Sequence, residues 1–349
     1  MDQKIVFFLQ FAFQLFFPVF LILYLNKEAS ILKLIKSEKI ELMHTKIGRI
    51  FINWTYVCSY EGVKCSKNDP RALFIHGKYG RLGNNLIQFI KTLSLAIELK
   101  IKYIFIPDFW FLPKSLQIVD ISVIKGNPKN LSYLSSIFYY LPEKYMNVPE
   151  EYLSVFRSHF VSVLPKPDID NDTLVIHIRS GDIMGKNPHG GYWQPPYCFY
   201  EGIIKNTSHK NVFVMCEDFK NPVVPKIKNE LHIDIHTINL LGTVSNIYHA
   251  KSVVYGIGTF VKTILYLSNE TKDIYCLKNS PPYKTHYNFT THFFEINQDY
   301  LSKVTPWGAT QTQKDFMVNY TCTFPNLRNI LLAWSQFVRK IVLFFYCLL

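Results

Sequence analysis

The sequence predicts an α/β protein with two doubly wound halves that follow an N-terminal membrane anchor. At 349 residues, with an apolar share of 48%, the chain is long and apolar enough to bury a substantial core. From residue 72 onward, short apolar β-branched runs alternate with stretches of helical periodicity, which indicates strands connected by helices. Before them, residues 5–25 form an apolar run that is long enough to cross a hydrocarbon core of about 30 Å.

The anchor is predicted to be an uncleaved transmembrane helix. Gln10 and Gln14 are the polar interruptions of residues 5–25, and no small-x-small cleavage site follows them. Residues 1–4 are then a cytosolic tail and residues 26–70 a lysine-rich stem.

The orientation of the anchor rests on two opposing signals. The lysines after the span favour a cytosolic stem. Against them stand seven N-x-S/T sequons, where about three are expected by chance. We follow the sequons and expect a luminal chain after residue 25. The sequons lie at Asn53, Asn130, Asn171, Asn206, Asn269, Asn288 and Asn319.

The first half of the folded chain is predicted to be a βαβ unit. Residues 72–76 are expected to form a strand, and the glycine-rich "GKYGRLGNN" that follows is expected to form a turn. Residues 85–99 carry apolar side chains at helical spacing, and residues 102–107 return as a strand. We assign residues 71–170 to this half.

The second half repeats this alternation over residues 171–285. Strands are predicted at 173–178, 211–216, 233–238, 251–256 and 272–277, and helices near 197–206, 222–231, 243–250 and 259–269. Residues 286–349 are a C-terminal extension. Its last part, 329–349, is either an interfacial helix or a helix that docks on the core, because Arg339 and Lys340 disfavour a second span.

The net charge and the positions of the cysteines limit which kinds of partner are expected. A net charge of +12 suits an anionic ligand. The lysines are scattered, and zinc-finger, RNP-type and basic-zipper patterns are missing from the sequence, so nucleic acid is not an expected partner. No Cys/His spacing typical of a metal site occurs, and no metal or cofactor is expected. Cys198, Cys216 and Cys276 lie in apolar stretches and are expected to be buried thiols.

The loop after strand 173–178, "RSGD", is the strongest candidate site. Ligands of open α/β sheets gather at the carboxyl ends of the strands. There, Arg179 can fork onto two phosphate oxygens and offset the charge of a leaving diphosphate. Asp182 can orient Arg179, cap the following turn or accept a proton. The structural alternative is an ion pair between Arg179 and Asp182, with His177 as a core residue.

Three further loops offer groups of the same kind. Asp218, after strand 211–216, can accept hydrogen bonds from a guanine edge, although acidic residues there are commonly helix caps. Gly258 precedes Thr259 at a predicted helix start, where free N–H groups can hold a phosphate. In the first half, Arg81 and Asn84 follow glycines that permit a ligand to approach the backbone.

These segments together resemble the α-1,2-fucosyltransferases. The resemblance is carried, patchily over residues 72–280, by "GRLGNNLIQFIKTLSLA", by "IHIRSGD" and by the segment around "YGIGTFVKT". It implies a GT-B fold of two facing Rossmann-like domains, with the acceptor side in residues 71–170 and the nucleotide sugar in residues 171–285. The H-x-R motif is also similar to that of the α-1,6- and protein O-fucosyltransferases.

The function that this resemblance implies is inverting transfer of fucose from GDP-β-L-fucose to a glycan hydroxyl, without a metal. Arg179 matches the arginine that contacts the donor diphosphate. The resemblance also implies a single-pass type II protein of the Golgi membrane with a luminal catalytic domain. The remaining matched positions are Arg81, Gly83 and Asn84 in the first motif, His177, Gly181 and Asp182 in the second, and Gly258, Thr259 and Phe260 in the third.

Some positions depart from the family pattern. Ser180 stands where those enzymes usually have a second arginine, Asn85 where they have glutamine, and residues 188–200 have no counterpart that aligns. These departures bear on linkage and acceptor more than on the donor. Two alternatives stay open: transfer from another nucleotide sugar, and a membrane-anchored glycan-binding relative without catalysis. The general base, with Asp182, His189 and Glu217 as candidates, and homo-oligomerisation also stay open.

Overall fold

A computed structural model describes residues 56–58, 71–128 and 131–322 of the chain. The predicted anchor, the cytosolic tail and the C-terminal apolar segment 329–349 lie outside these ranges. Within them, none of the helices is both long enough and apolar enough to cross a membrane.

The chain forms two compact units, one up to Phe160 and one from Val161 onward, each built around its own sheet. This division lies ten residues before the predicted boundary after residue 170. The described strands of the first sheet pair in the order β1-β6-β2-β3-β5-β4. They are β1 (Tyr56–Cys58), β2 (Ala72–Ile75), β3 (Tyr103–Ile106), β4 (Ser115–Ile118), β5 (Ile121–Lys125) and β6 (Ser132–Ser136).

The predicted βαβ unit at the start of the first half is confirmed. β2 and β3 are parallel neighbours, and helix α1 (Leu82–Glu98) connects them. α1 begins three residues before the predicted helix, so Gly83 lies in its first turn rather than in a loop. The Gln88 side chain explains how the preceding loop is held, since its Nε2 donates to the carbonyls of Gly77 and Ile137 at 3.0 and 2.8 Å. Helix α2 (Glu150–Ser162) follows β6.

In the second unit the described strands are parallel and pair in the order β12-β11-β10-β7-β8-β9. They are β7 (Thr173–Ile178), β8 (Asn211–Cys216), β9 (Ile235–His236), β10 (Ser252–Tyr255), β11 (Asp273–Leu277) and β12 (Thr290–Phe294). The helices between them are α3 (Tyr197–Asn206), α4 (Val223–Leu231), α5 (Leu240–His249) and α6 (Thr259–Leu267). The predicted alternation of strands and helices is confirmed, and the predicted strand at 233–238 is only two residues long, at one edge of the sheet.

The strand order positions the site. From β7 the chain first adds β8 and β9 on one side, and then returns to add β10, β11 and β12 on the other side. The winding direction therefore reverses between β7 and β10. In open α/β sheets the crevice at such a switch point, beyond the carboxyl ends of the strands, is where ligands bind.

The described part of the C-terminal extension, residues 286–322, packs as part of the second unit, which therefore continues past residue 285. β12 pairs with β11, and helices α7 (Gln298–Val304) and α8 (Gln311–Asn319) contribute the buried residues Tyr300, Val304 and Met317 to its core. A disulfide joins Cys198 of α3 to Cys322 just after α8. Cys198, Cys216 and Cys276 are all buried, as predicted. Cys216 and Cys276 are free thiols, whereas the disulfide of Cys198 with a distant cysteine was not predicted.

Candidate functional site

The candidate site lies at the switch point between β7 and β10. Arg179 is the first residue after β7, and Gly256, Ile257 and Gly258 connect β10 to α6. His177 of β7 pairs in register with Tyr255 of β10, so the two strands end side by side. The parallel pairing of these strands therefore brings the second and third predicted motifs together.

Gly258 and Arg179 are in close contact. Gly258 has φ +126°, and a Cβ atom on it would lie 2.9 Å from Nη1 of Arg179 and 3.8 Å from Cε1 of Tyr192. A side chain at this position would meet both the backbone strain of positive φ and the guanidinium. Glycine at 258 thus lets the guanidinium of Arg179 lie against the backbone at the amino end of α6.

The amino end of α6 adjoins the guanidinium of Arg179. The first turn of a helix has backbone N–H groups without intrahelical partners, and Gly258, as the N-cap, has no side chain to accept from them. Thr259 and Phe260 begin the helix and are half-buried. The amino end of α6 carries the positive end of the helix dipole, and it lies next to the positive charge of Arg179. An anion placed between them is stabilised by both.

Asp182 forms a weak ion pair with Arg179. Its Oδ1 lies 3.5 Å from Nη2 of Arg179, and its side chain is half exposed. Solvent-exposed pairs of this kind contribute about 0 to 1 kcal/mol. The predicted pairing of these two residues is therefore present, but Asp182 alone does not fix the guanidinium.

His177 is packed against the third motif. Its ring centroid lies 5.3 Å from that of Phe260. Burial, and then the positive charge of Arg179, lower the pKa of His177 to about 4. His177 is therefore neutral at neutral pH, and its contribution to stability is present above about pH 6.5 and is lost as the pH falls towards 4.

Gly181 and Asp218 form a clamp between the loops after β7 and β8. Gly181 has φ +69°, and a Cβ atom on it would overlap the carboxylate of Glu217. The backbone N–H of Gly181 donates to Oδ1 of Asp218 at 3.2 Å. The hydroxyl of fully buried Ser180 donates to the same oxygen. Ser180 is therefore a buried member of this clamp.

The clamp keeps Asp218 ionised. Burial by itself would raise the pKa of this carboxyl, but hydrogen bonds from Ser180, from the backbone and side chain of Lys220 and from Gly181 lower the pKa to about 2. Lys220 Nζ lies 3.0 Å from Oδ2 of Asp218. The geometry thus gives Asp218 a role in holding the loop, in addition to the contact with guanine that the sequence predicts.

Tyr192 is a residue of the site that the sequence analysis missed. The guanidinium carbon of Arg179 lies 4.4 Å from the centroid of the Tyr192 ring. His189, one of the three candidate bases, lies next to this tyrosine with ring centroids 5.3 Å apart. The signal in the sequence was "HGGYWQPP", in which glycines, prolines and aromatic residues fall together, but no periodicity in it shows which ring faces Arg179.

The predicted site residues of the first half lie in the first unit. Arg81 is the exposed N-cap of α1, Gly83 is buried in the first turn, and the half-buried Asn84 has its side chain folded back over Gly80. Gly80 has φ +66°, and this conformation reverses the chain just before the helix. These residues therefore surround the amino end of α1, as Arg179 and Gly258 surround that of α6.

No protein-family model matches the chain, and no curated protein matches its sequence. Among solved structures, the chain is similar to a glycosyl transferase of family 9 from Veillonella parvula DSM 2008, with 8% identity, a TM-score of 0.37, and coverage of 71% of this chain and 95% of that one. It is also similar to E. coli heptosyltransferase WaaC with ADP, with 11% identity, a TM-score of 0.33, and coverage of 70% and 97%. Similarity at this level assigns neither a family nor an activity to the chain.

Proposed function

We propose that the protein is an inverting glycosyltransferase that transfers fucose from GDP-fucose to a hydroxyl of a glycan. The observation that carries this proposal is the contact of the Arg179 guanidinium with Gly258 at the amino end of α6. A planar cation and a row of backbone N–H groups at a switch point form a site suited to a diphosphate.

The chemistry follows from where charge develops. The acceptor oxygen bonds to the anomeric carbon of the sugar while the bond from that carbon to the diphosphate oxygen breaks. GDP leaves with the electron pair of that bond, and the hydroxyl proton passes to a base or to solvent. Arg179 and the N–H groups of α6 stabilise the leaving diphosphate, and preorganised donors of this kind lower a barrier by about 2.7 to 4 kcal/mol each.

The choice of fucose rests on the resemblance of the three motifs. Two of them, "IHIRSGD" and "YGIGTFVKT", supply the groups that adjoin at the switch point. Asp218 is the proposed reader of guanine through Oδ2, because Oδ1 already accepts from Ser180, Gly181 and the backbone of Lys220. Oδ2 also lies 3.0 Å from Nζ of Lys220, so the base would share this oxygen with the lysine. In the GT-B arrangement that we propose, the first unit, with Arg81, Gly83 and Asn84, belongs to the acceptor side.

The proposed location is the Golgi lumen, with residues 5–25 as the anchor. The five sequon asparagines in the described part of the chain are all exposed, which glycosylation requires. The Cys198–Cys322 disulfide supports the same compartment, because disulfides persist where the environment is oxidising.

A donor screen tests the activity. The full chain, solubilised in detergent, is incubated with a mixed glycan acceptor and, in separate reactions, with GDP-fucose, GDP-mannose, UDP-galactose and an ADP-sugar. Release of GDP with transfer from GDP-fucose alone is the expected result. Transfer from another donor supports the alternative nucleotide sugar, and GDP binding without transfer from any donor supports a non-catalytic binding protein.

A further inference from the structure

We propose that Tyr192 is the positioning residue of Arg179, and that its aromatic face, not its hydroxyl, sets the direction of the guanidinium. This inference rests on the proposed function, because it assigns a further residue to the same diphosphate site. It concerns a loop, residues 188–196, that the three motifs do not include.

The guanidinium is held from two sides. Tyr192 lies 4.4 Å from the guanidinium carbon, and the backbone of Gly258 lies beside Nη1. An arginine stacked on an aromatic face keeps its N–H edge free for hydrogen bonds, because the ring contacts the flat face of the guanidinium. The position of the guanidinium over the Tyr192 ring therefore restricts its direction and leaves N–H groups of Arg179 for an anion.

The other contacts of Arg179 leave this task to Tyr192. The backbone carbonyl of Arg179 accepts from Nδ2 of Asn221 at 2.9 Å, which fixes the main chain but not the end of the long side chain. Asp182 approaches at 3.5 Å and is half exposed, so it is a weak guide. The Arg179 side chain is only 19% exposed, so its contact with the Tyr192 ring contributes more than a cation–π contact at an exposed site.

The loop that carries Tyr192 is itself fixed. The backbone N–H of Tyr192 donates to the carbonyl of His189 at 2.9 Å, and its carbonyl accepts from Nε2 of Gln194 at 2.8 Å. The hydroxyl of Tyr300 donates to the carbonyl of Gln194 at 2.7 Å. The backbone N–H of Trp307 donates to the carbonyl of Gly190 at 2.8 Å. Tyr192 thus belongs to a loop that two buried aromatic residues of the C-terminal extension hold in place.

Two substitutions separate the ring from the hydroxyl. Tyr192→Phe keeps the aromatic face, and Tyr192→Leu removes it while keeping an apolar side chain. We expect Tyr192→Phe to be much less damaging than Tyr192→Leu, which should lower kcat at least tenfold below that of the phenylalanine variant at saturating donor. Tyr192→Met replaces the leucine variant if that one melts near the assay temperature.

A double substitution shows whether Tyr192 acts through Arg179. In an Arg179→Ala background, Tyr192→Leu is expected to have little further effect, because the group that it positions is gone. A Tyr192→Leu loss that is equally large in both backgrounds would mean that the ring acts by another route and would overturn the inference.

The reactivity of Arg179 towards phenylglyoxal provides a readout that needs no activity. Peptide mapping should show slow modification of Arg179 in the wild type and in Tyr192→Phe, and several-fold faster modification in Tyr192→Leu. The control is Tyr283→Leu. It removes a similar contact, in which Nζ of Lys262 in α6 lies 4.7 Å from the centroid of the Tyr283 ring, and modification of Arg179 should stay slow. Equal rates in all variants would overturn the inference even if the enzyme transfers fucose. Failure of the proposed function would instead appear as a wild type that neither binds nor uses GDP-fucose.

Discussion

The indole Nε1–H of Trp307 donates a hydrogen bond of 2.7 Å to the backbone carbonyl of Ile183, 124 positions earlier in the chain. Ile183 lies in the short 3₁₀ turn Gly181–Met184 that follows Arg179 and Ser180. Both partners are buried, with exposures of 2%. A residue of the C-terminal extension therefore determines the path of the chain directly after the candidate diphosphate site.

Trp307→Phe should destabilise the second unit. The substitution keeps an aromatic ring but leaves the buried carbonyl of Ile183 without its donor, which costs about 1 to 3 kcal/mol. Thermal unfolding followed by circular dichroism should show a lower melting temperature. Trp110→Phe is the matched control, because Trp110 is 40% exposed and should tolerate the change. Equal melting temperatures for both variants would mean that the Ile183 contact is not stabilising.

Arg179→Lys should abolish most of the transfer while leaving the fold stable. The substitution keeps the charge but replaces the planar fork with a point charge, so we expect turnover to fall about 100-fold or more. Arg157→Lys is the control, and the opposite result is expected for it. Arg157 is buried in the first unit with Glu150 at 2.8 Å, so its replacement should lower stability but spare the turnover of the folded fraction. Near-normal turnover of a stable Arg179→Ala variant would contradict the proposed mechanism.

Gly258→Ala should weaken nucleotide binding. The added Cβ would lie 2.9 Å from Nη1 of Arg179, and φ +126° is strained for alanine, so the guanidinium or the backbone must move. Affinity for GDP, measured by calorimetry, should fall about tenfold or more. Gly77→Ala is the control, because no atom lies within 4 Å of a Cβ at that position. Equal GDP affinities for the two variants would remove the close contact from the site.

Asp218→Asn should make the stability of the protein less dependent on pH in the acidic range. The pKa of Asp218 is lowered to about 2, below its ordinary value of 3.8, so the ionised carboxylate stabilises the fold above about pH 4 and this contribution is lost as the pH falls towards 2. The difference in melting temperature between wild type and Asp218→Asn should therefore shrink over that interval. A difference that is constant with pH would argue against the clamp.

The same variant tests the predicted contact with guanine. If Asp218 accepts from the base, Asp218→Asn should weaken GDP by a factor that corresponds to about 1.5 to 3 kcal/mol and leave ADP unchanged. If the binding of GDP and of ADP weakens equally, Asp218 acts only in the clamp and does not contact guanine.

Enzymatic removal of N-glycans should increase the gel mobility of the protein expressed in a secretory host. Asn171, Asn206, Asn269, Asn288 and Asn319 are exposed and available to the modifying enzyme. Asn206→Gln should shift the untreated protein by one glycan and leave the treated protein unchanged. An unshifted protein that is open to protease from the cytosolic side would reverse the proposed orientation.

Local sequence patterns determined most of the second sheet. Residues 173–178 and 211–216 are predicted as strands with the bounds that the structure has, and the helix at 197–206 agrees as well. Such strands are readable because both faces of a parallel strand are buried, so the chain must carry continuous apolar, β-branched runs. The position of Arg179 at a strand end follows directly from the same pattern.

Only the tertiary structure decided which groups meet at that strand end. The ring of Tyr192 lies over Arg179, and the loop that carries it is bonded to Trp307 and Tyr300, far along the chain. Cys198 is likewise bonded to Cys322, across a separation of 124 residues. Contacts of this kind join segments whose local sequences are independent, so they cannot be predicted from the periodicity or spacing of either segment. Their partners are selected by packing and burial once the sheet and the C-terminal helices have come together.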